Sequence, residues 1–468
     1  MKQPFQTIWH WGKGAAALER RSVFGSPQAC SNLPRPLAQR ALASLALRVI
    51  AAFLSLVTSV ALARVLGVKG FGTYSYTLTL VGLLSVPLTL GLPQLLVREV
   101  AAYDARGQWG TLGGLLRRAN QVVLAASLLL VMVAIALSSL FAERLEPSAH
   151  STFIVAVVML PLMALAAMRM ATLQGLGYVV LRQLPEGVYR PLLFLLFFVP
   201  SSLVLERGQV TPAHAMGIQL VAAGLAFVIG AWLLHRRLPA QIREASLSYE
   251  HRTWAKGALP LLLLGGVQFS NEQLGLLMLG AMEGAEATGL YRVATRVAEC
   301  IPLVLLAANA VLAPMVSRLY AQDDLARLQQ LVTGAARAVL SCTVPMALAL
   351  MVLAPWLLRT VFGEEFAPAA TALSILSIGQ LFNAGMGSVG LLLIMTGHAG
   401  DTLKGMGLGA VLHVVLNALL IPRFGIDGAA SATAISLITW NILLAVWVYK
   451  RLGLHTTALG PLRFRRAI

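Results

Sequence analysis

ARVLGVKGFGTYSYTLTLVGLLSVPLTLGLPQLLVREVA, residues 63–101, decides the fold, because its punctuation returns later in the chain. Shifted by 217 residues without a gap, Gly67 falls on Gly284, Gly72 on Gly289, Tyr74 on Tyr291 and Tyr103 on Tyr320. Further along, the same shift lays Ala119 on Ala336 and Val122 on Val339. One constant shift over so long a stretch is the mark of an internal repeat, and transporter folds are commonly built from repeats with a substrate site between them.

Outward from this stretch the chain is apolar almost throughout. Of its 468 residues 58% are hydrophobic and only 12% are charged, whereas a soluble domain carries roughly 25% charged residues. Runs such as VVLAASLLLVMVAIALSSLF (122–141) have the ~20 residues a helix needs to cross a hydrocarbon core of about 30 Å. Hydropathy gives twelve spans, near 45–66, 75–97, 119–141, 151–173, 188–206, 211–234, 258–281, 288–312, 336–358, 367–393, 404–422 and 428–449. The expected fold class is therefore an all-α polytopic membrane protein. The shift lays spans 1 to 4 on spans 7 to 10 in the same direction, so the repeat is parallel and relates two six-helix lobes, 45–234 and 258–449. A linker over 235–257 joins them, with basic tails over 1–44 and 450–468. Lobes that rock about a shared cavity, giving alternating access, are the mechanical expectation.

Lysine and arginine orient the bundle. The tails and the connections after even-numbered spans hold 26 of the 36 basic residues; the opposite side holds six, Arg64, Lys69, Arg144, Arg207, Arg359 and Arg423. Cytoplasmic loops carry this excess, so both termini and the linker are expected in the cytoplasm. The asymmetry also accounts for the net charge of +17 without a nucleic-acid partner. Outer connections of about 3 to 10 residues are too short for an extracytoplasmic catalytic domain. Cys30, Cys300 and Cys342 lie too far apart in sequence for a metal or redox spacing. With no Gly-rich phosphate loop and no convincing catalytic constellation, neither an enzyme, a cofactor nor a metal is expected. The first 40 residues lack the apolar core and cleavage site of a signal peptide and read as a mobile basic tail.

Three stretches together resemble one family: residues 63–101 quoted above, TGLYRVATRVAECIPLVLLAANAVLAPMVSRLY (288–320) and VLNALLIPRFGIDGAASATAIS (415–436). They are similar to the two corresponding hairpins and the C-terminal signature of the polysaccharide-exporter branch of the multidrug/oligosaccharidyl-lipid/polysaccharide superfamily, the branch containing Wzx-type O-antigen flippases. The resemblance covers about 45–450. It implies two six-helix lobes, alternating access and export of an undecaprenyl-pyrophosphate-linked oligosaccharide across a bacterial plasma membrane. Membrane lipids and polysaccharide polymerase components are the implied partners. A cation-coupled exporter of drugs or metabolites shares the architecture and is the alternative; a glycan ligase or acyltransferase is disfavoured by the short outer connections.

Charges inside a bilayer are functional candidates by default. Setting aside the three residues at either end of each span, six fall within the spans: Arg48, Arg169, Glu272, Arg292, Arg296 and Glu299. Arg48 and Arg169 lie about a turn from the cytoplasmic ends of their spans and are expected to snorkel. At ~100° per residue, Arg292, Arg296 and Glu299 share an arc of roughly 60°. Glu272, in the patch SNEQ, is expected level with Arg296, with Gln268 one turn away on the same face. The equivalent first-lobe positions are Ser55, Ser75, Thr79 and Gly82, so the charged pocket is expected to belong to the second lobe alone. Arg292, Arg296 and Gln268 are the candidate substrate contacts, since a guanidinium fork matches pyrophosphate oxygens. Glu272 and Glu299 are the candidate ion-coupling groups, expected to hold the two arginines when the site is empty. Asn309, Asn383, Asn417 and Asn441 are expected in interhelical hydrogen bonds rather than at sugar hydroxyls. Pro87, Pro93 and Pro302 should bend their helices, Gly67, Gly70 and Gly72 tighten an outer turn, and Gly425 and Gly428 tighten another.

Overall fold

The computed structural model describes residues 35–89, 91–140, 146–205, 209–458 and 460. Of the two expected basic tails, residues 1–34 and 461–468 lie outside the described residues. The described chain is helical from Arg35 onward: α1 (Arg35–Thr89), α2 (Leu92–Arg106), α3 (Trp109–Leu140), α4 (Pro147–Val158), α5 (Leu160–Gly175) and α6 (Val179–Leu184). A π-helical turn (Pro185–Tyr189) leads into α7 (Arg190–Val204), α8 (Pro212–Arg237) and the short α9 (Gln241–Glu244). The second half holds α10 (His251–Ala298), α11 (Pro302–Ala321), α12 (Leu325–Val361), a 3-10 turn (Glu364–Ala369), α13 (Ala370–Met386), α14 (Val389–Met395) and α15 (Ala399–Leu452).

Among the described residues nine helical stretches are long and apolar enough to cross a membrane. Two of them, Ala43–Thr89 and Ala399–Leu452, reverse at Gly67 and Gly425 and so count twice. The stretch His251–Ala298 reverses at Gly284 and supplies one more span before that glycine. The total is twelve, the number read from hydropathy.

The reversals are tighter than the expected loops. The chain leaves the helical conformation at the repeat mates Gly67 (φ 67°) and Gly284 (φ 86°), and helix resumes directly after each. Only a residue without a Cβ adopts that backbone without strain. The prolines, expected to bend their helices, stand instead at breaks: α1 ends just after Pro87, α2 starts with Pro93 in its first turn, and α10 gives way to α11 at Glu299–Ile301 before Pro302.

Packing differs between the two ends of the bundle. At the end bearing Gly67 and Gly284, one apolar cluster combines both halves, with Phe71, Tyr74 and Phe198 of the first among Tyr291, Phe362 and Phe366 of the second. Phe71 meets Phe366 edge-on at 6.3 Å between ring centres, and Phe362 lies 6.1 Å from Phe366. Arg64 Nε donates to the Val361 carbonyl at 2.7 Å, and its Nη2 to that of Thr360. These are two of the acceptors that the end of α12 leaves without helical partners. Gly72 was expected to tighten a turn; it instead brings the halves together. A Cβ there would stand 1.7 Å from the Ala285 carbonyl oxygen, and one at its repeat mate Gly289 would stand 2.3 Å from that of Val68. Toward the other end the clusters separate, one around α2, α3 and α5 with the start of α10, the other around α11, α12, α14 and α15.

At that other end each half is strapped. Ser248 donates its amide to the Gly110 carbonyl at 3.1 Å, laying the linker on the start of α3. The C-terminal segment, the start of the expected basic tail, lies on the start of α12: Gln329 exchanges hydrogen bonds of 2.7 and 2.8 Å with the His455 backbone, and Arg337 Nε donates to the Ala458 carbonyl at 2.9 Å.

Gly72→Ala should wedge the halves apart at this end, at about 1–3 kcal/mol, the usual cost of overpacking. The check is maleimide labelling of a cysteine placed at Thr288, which is fully buried here, in a background lacking the native cysteines. The unaltered interface should shield it, and Gly72→Ala should label several times faster; equal rates would contradict this closure.

Candidate functional site

The second arm of α10, after Gly284, sorts its residues by face. Leu290, Val293, Ala294 and Val297 are buried in the apolar cluster, while Arg292, Thr295 and Arg296 line open space. Arg292 and Arg296 lie eight and twelve residues beyond Gly284, roughly 12 and 18 Å into the bundle at ~1.5 Å per residue. A guanidinium at such depth costs about 2.5–3.5 kcal/mol when inserted in lipid. Here both face cavities.

Arg292 and Arg296 enter a cavity of about 420 Å³ whose other walls come from the first half: Ser55 and Ser59 before Gly67, Tyr74 and Ser75 after it, and Glu186, Arg190 and Gln219. The π-helical turn Pro185–Tyr189 carries Glu186 and leads directly into Arg190. Single π turns are often found at functional sites because they re-aim the side chains of the helix. Arg190 Nη1 donates to Glu186 Oε2 at 2.9 Å. With the Gln219 amide oxygen turned toward it, Arg190 also donates to that oxygen from Nε at 2.8 Å and Nη2 at 2.6 Å. The cavity therefore gathers three guanidinium groups against one lining carboxylate.

A second chamber, of about 300 Å³, lies within the second half, and Arg292 lines it as well. Glu272 and Glu299 line this chamber. Arg296 Nη1 donates to Glu299 Oε2 at 2.9 Å, while its buried Nε has no partner. Arg292 donates to Gln273 Oε1 at 3.4 Å.

Several expectations change. Glu272 pairs with neither arginine; it accepts from Gln268 Nε2 at 3.3 Å. Gln268 is exposed and lines neither cavity. Glu299 falls at the break between α10 and α11, one residue beyond the end of the helix. The charged site is shared by both halves, because Glu186 and Arg190 join it. A hydropathy span starting at 188 leaves Glu186 outside it and Arg190 at its edge, so neither stands out as an intramembrane charge. The helix begins at Val179, nine residues and roughly 14 Å before that edge. The i,i+4 spacing of Glu186 and Arg190 was the available signal. Arg169 does not snorkel: its guanidinium stacks 3.1 Å from the Phe227 ring centre and donates to that residue's carbonyl. Asn441 bonds Asn383 across helices at 3.0 Å, as expected, but Asn417 only donates to the His413 carbonyl one turn back in α15.

The family model described as "Polysaccharide biosynthesis protein" matches residues 37–320, a range that includes Arg190, Arg292 and Arg296. A probable low-salt glycan biosynthesis flippase of Haloferax volcanii is 25% identical over 182 residues; the match covers 39% of this chain and only 38% of that relative's length. Among solved structures, an inward-facing multidrug resistance transporter of the MATE family superposes with a TM-score of 0.68 at 14% identity, covering 88% of this chain and 98% of that one. The lipid II flippase MurJ, in an inward closed conformation, gives 0.64 at 13% identity over 87% and 86% of the two chains. At these identities the structural likeness speaks for the fold.

Removing Glu186 should leave Arg190 short of a partner inside the bundle. Glu186→Gln is expected to cost about 1–2 kcal/mol, a buried-pair figure discounted for the partial exposure of both groups. Thermal unfolding of Glu186→Gln, Arg190→Gln and the double variant checks it. The double should lose less than the sum of the singles; strict additivity would show that the two side chains do not interact.

Proposed function

The chain belongs to the polysaccharide biosynthesis protein family, and from that membership we propose that it is a flippase for a lipid-linked oligosaccharide. It carries the glycan on undecaprenyl pyrophosphate from the cytoplasmic to the outer leaflet of a bacterial plasma membrane, for surface polysaccharide such as O-antigen, capsule or exopolysaccharide. The names of the Haloferax relative, a glycan biosynthesis flippase, and of MurJ, a lipid II flippase, support this reading. The basic asymmetry of the connections supports an orientation with both termini in the cytoplasm.

The observation that carries the proposal is the meeting of Arg190, Arg292 and Arg296 at one cavity between the halves. A pyrophosphate drawn into a bilayer needs charged hydrogen-bond donors, because an isolated anion there is very costly. Guanidinium groups supply paired donors and stay charged in a low dielectric. Arg190 is already held by Glu186 and Gln219, whereas Arg296 keeps a free Nε and one carboxylate partner. Pyrophosphate that takes Arg296 releases Glu299. That exchange is a differential contact between empty and loaded states, the requirement for a ligand to drive a conformational change. The freed Glu299 carboxylate, with Glu272 beside the same chamber, is then available to a coupling cation. A cationic drug fits poorly, since it meets three guanidinium groups in the inter-lobe cavity.

Arg296→Ala should abolish surface glycan at normal membrane protein levels, with lipid-linked sugar accumulating on the cytoplasmic leaflet. Arg296→Lys should restore only part, because the paired donor geometry is lost. A purely structural ion pair gives the opposite pattern: Arg296→Gln combined with Glu299→Gln would restore export, and that result would refute the phosphate role.

A further inference from the structure

The chamber of about 300 Å³ in the second half is at the small end of the range of about 300–1,000 Å³ typical of ligand pockets. Its wall is unlike that of the guanidinium cavity. Trp440 and Ser436 of α15 line it, and the Trp440 indole N–H and the Ser436 hydroxyl are buried with no hydrogen-bond partner. Buried polar groups in folded proteins nearly always find partners, so two orphaned groups on one chamber wall point to a ligand that supplies them.

Other lining groups set the ligand's chemistry. Gln380 is braced from behind: Asn383 donates to its Oε1 at 3.4 Å, and Asn441 donates to Asn383 at 3.0 Å. Asn271 uses its Nδ2 on the Met406 carbonyl at 3.1 Å, which leaves its oxygen as an acceptor. Glu272 adds a carboxylate acceptor. An acyl chain would leave the Trp440 N–H and the Ser436 hydroxyl unpaired, and a phosphate is mismatched to the carboxylates of Glu272 and Glu299. A neutral ring rich in hydroxyls, with one apolar face to set against an indole, satisfies donors, acceptors and aromatic surface together.

We propose that this chamber is a saccharide subsite holding the sugar next to the pyrophosphate, with Arg292, which lines both cavities, at the junction. The assignment rests on the flippase reading and extends it: phosphate is held between the halves, and sugar is read within the second half.

The test measures binding to the full-length protein in lipid discs. One probe is the lipid-linked oligosaccharide extracted from cells deleted for the gene; the other is sugar-free undecaprenyl pyrophosphate. Trp440→Phe, which keeps a ring but removes the N–H, and Ser436→Ala should each weaken the glycan-bearing lipid about fivefold, the size of a lost hydrogen bond. Both should leave the sugar-free lipid unchanged. Arg296→Ala should weaken both probes. The subsite is overturned if the two chamber variants bind the glycan-bearing lipid as the unaltered protein does, or if they weaken both lipids equally. It is also overturned if the unaltered protein does not distinguish the two lipids. Loss of the Arg296→Ala effect on the sugar-free lipid, with the chamber variants behaving as expected, would instead refute the phosphate reading and leave the sugar subsite standing.

Discussion

Guanidinium groups inside a bundle of apolar helices are the constraint around which this molecule is built. Arg190, Arg292 and Arg296 reach one cavity, and charges set among apolar spans are costly unless a cavity or a partner meets them. Each is met differently. Arg190 has a carboxylate and an amide, Arg296 has one carboxylate, and Arg292 has a single long bond to an amide. The π turn ahead of Arg190 and the break after Glu299 are the two irregularities that place these partners. Both are positions where backbone regularity gives way to the needs of a charged site.

Around that site the repeat does two different jobs. At the closed end the halves meet as equivalents: Gly72 lies against Ala285 and Gly289, and Gly289 lies against Val68 and Gly72. Such reciprocal contact between repeat mates is the behaviour of a two-fold interface. At the site the equivalence is abandoned. Ser55 and Ser75 stand where the second half has Glu272 and Arg292, yet these serines line the very cavity that Arg292 enters. Symmetric scaffolding thus carries asymmetric chemistry: serines stand at the repeat-equivalent positions, and the first half brings its charge from Glu186 and Arg190 instead. Toward the other end the apolar clusters are separate, and the halves meet there at Gly91, which lies against the backbone of Ala258, Leu261 and Leu262 in α10.

The twelve spans, the parallel repeat and the proline breaks were legible because hydropathy and glycine spacing are local signals. Arg292, Arg296, Glu272 and Glu299 were also legible, as charges where charge is expensive. What sequence could not provide was depth and direction. Arg190 was missed because a hydropathy window trims a helix at its first charged residue, although the helix here starts at Val179. Glu272 was paired with the wrong partner because helical-wheel angles fix a face but not which neighbour faces it. Gly72 was read as part of a turn, since nothing in a single sequence reports that another backbone lies within contact of it. The straps over α3 and α12 were invisible for the same reason: the first is a backbone pair, and in the second Gln329 and Arg337 reach backbone groups that carry no sequence signature.

The most direct measurement is transport by the purified protein in proteoliposomes. Lipid-linked oligosaccharide extracted from deletion cells is loaded in one leaflet, and its appearance on the other is followed with an impermeant sugar-cleaving enzyme. A cationic dye is offered in parallel. Movement of the glycan-bearing lipid, with no protein-dependent movement of the dye, is the expected result. Protein-dependent movement of the dye while the lipid stays in its leaflet would contradict a cavity built for pyrophosphate and place the chain among exporters of cations instead.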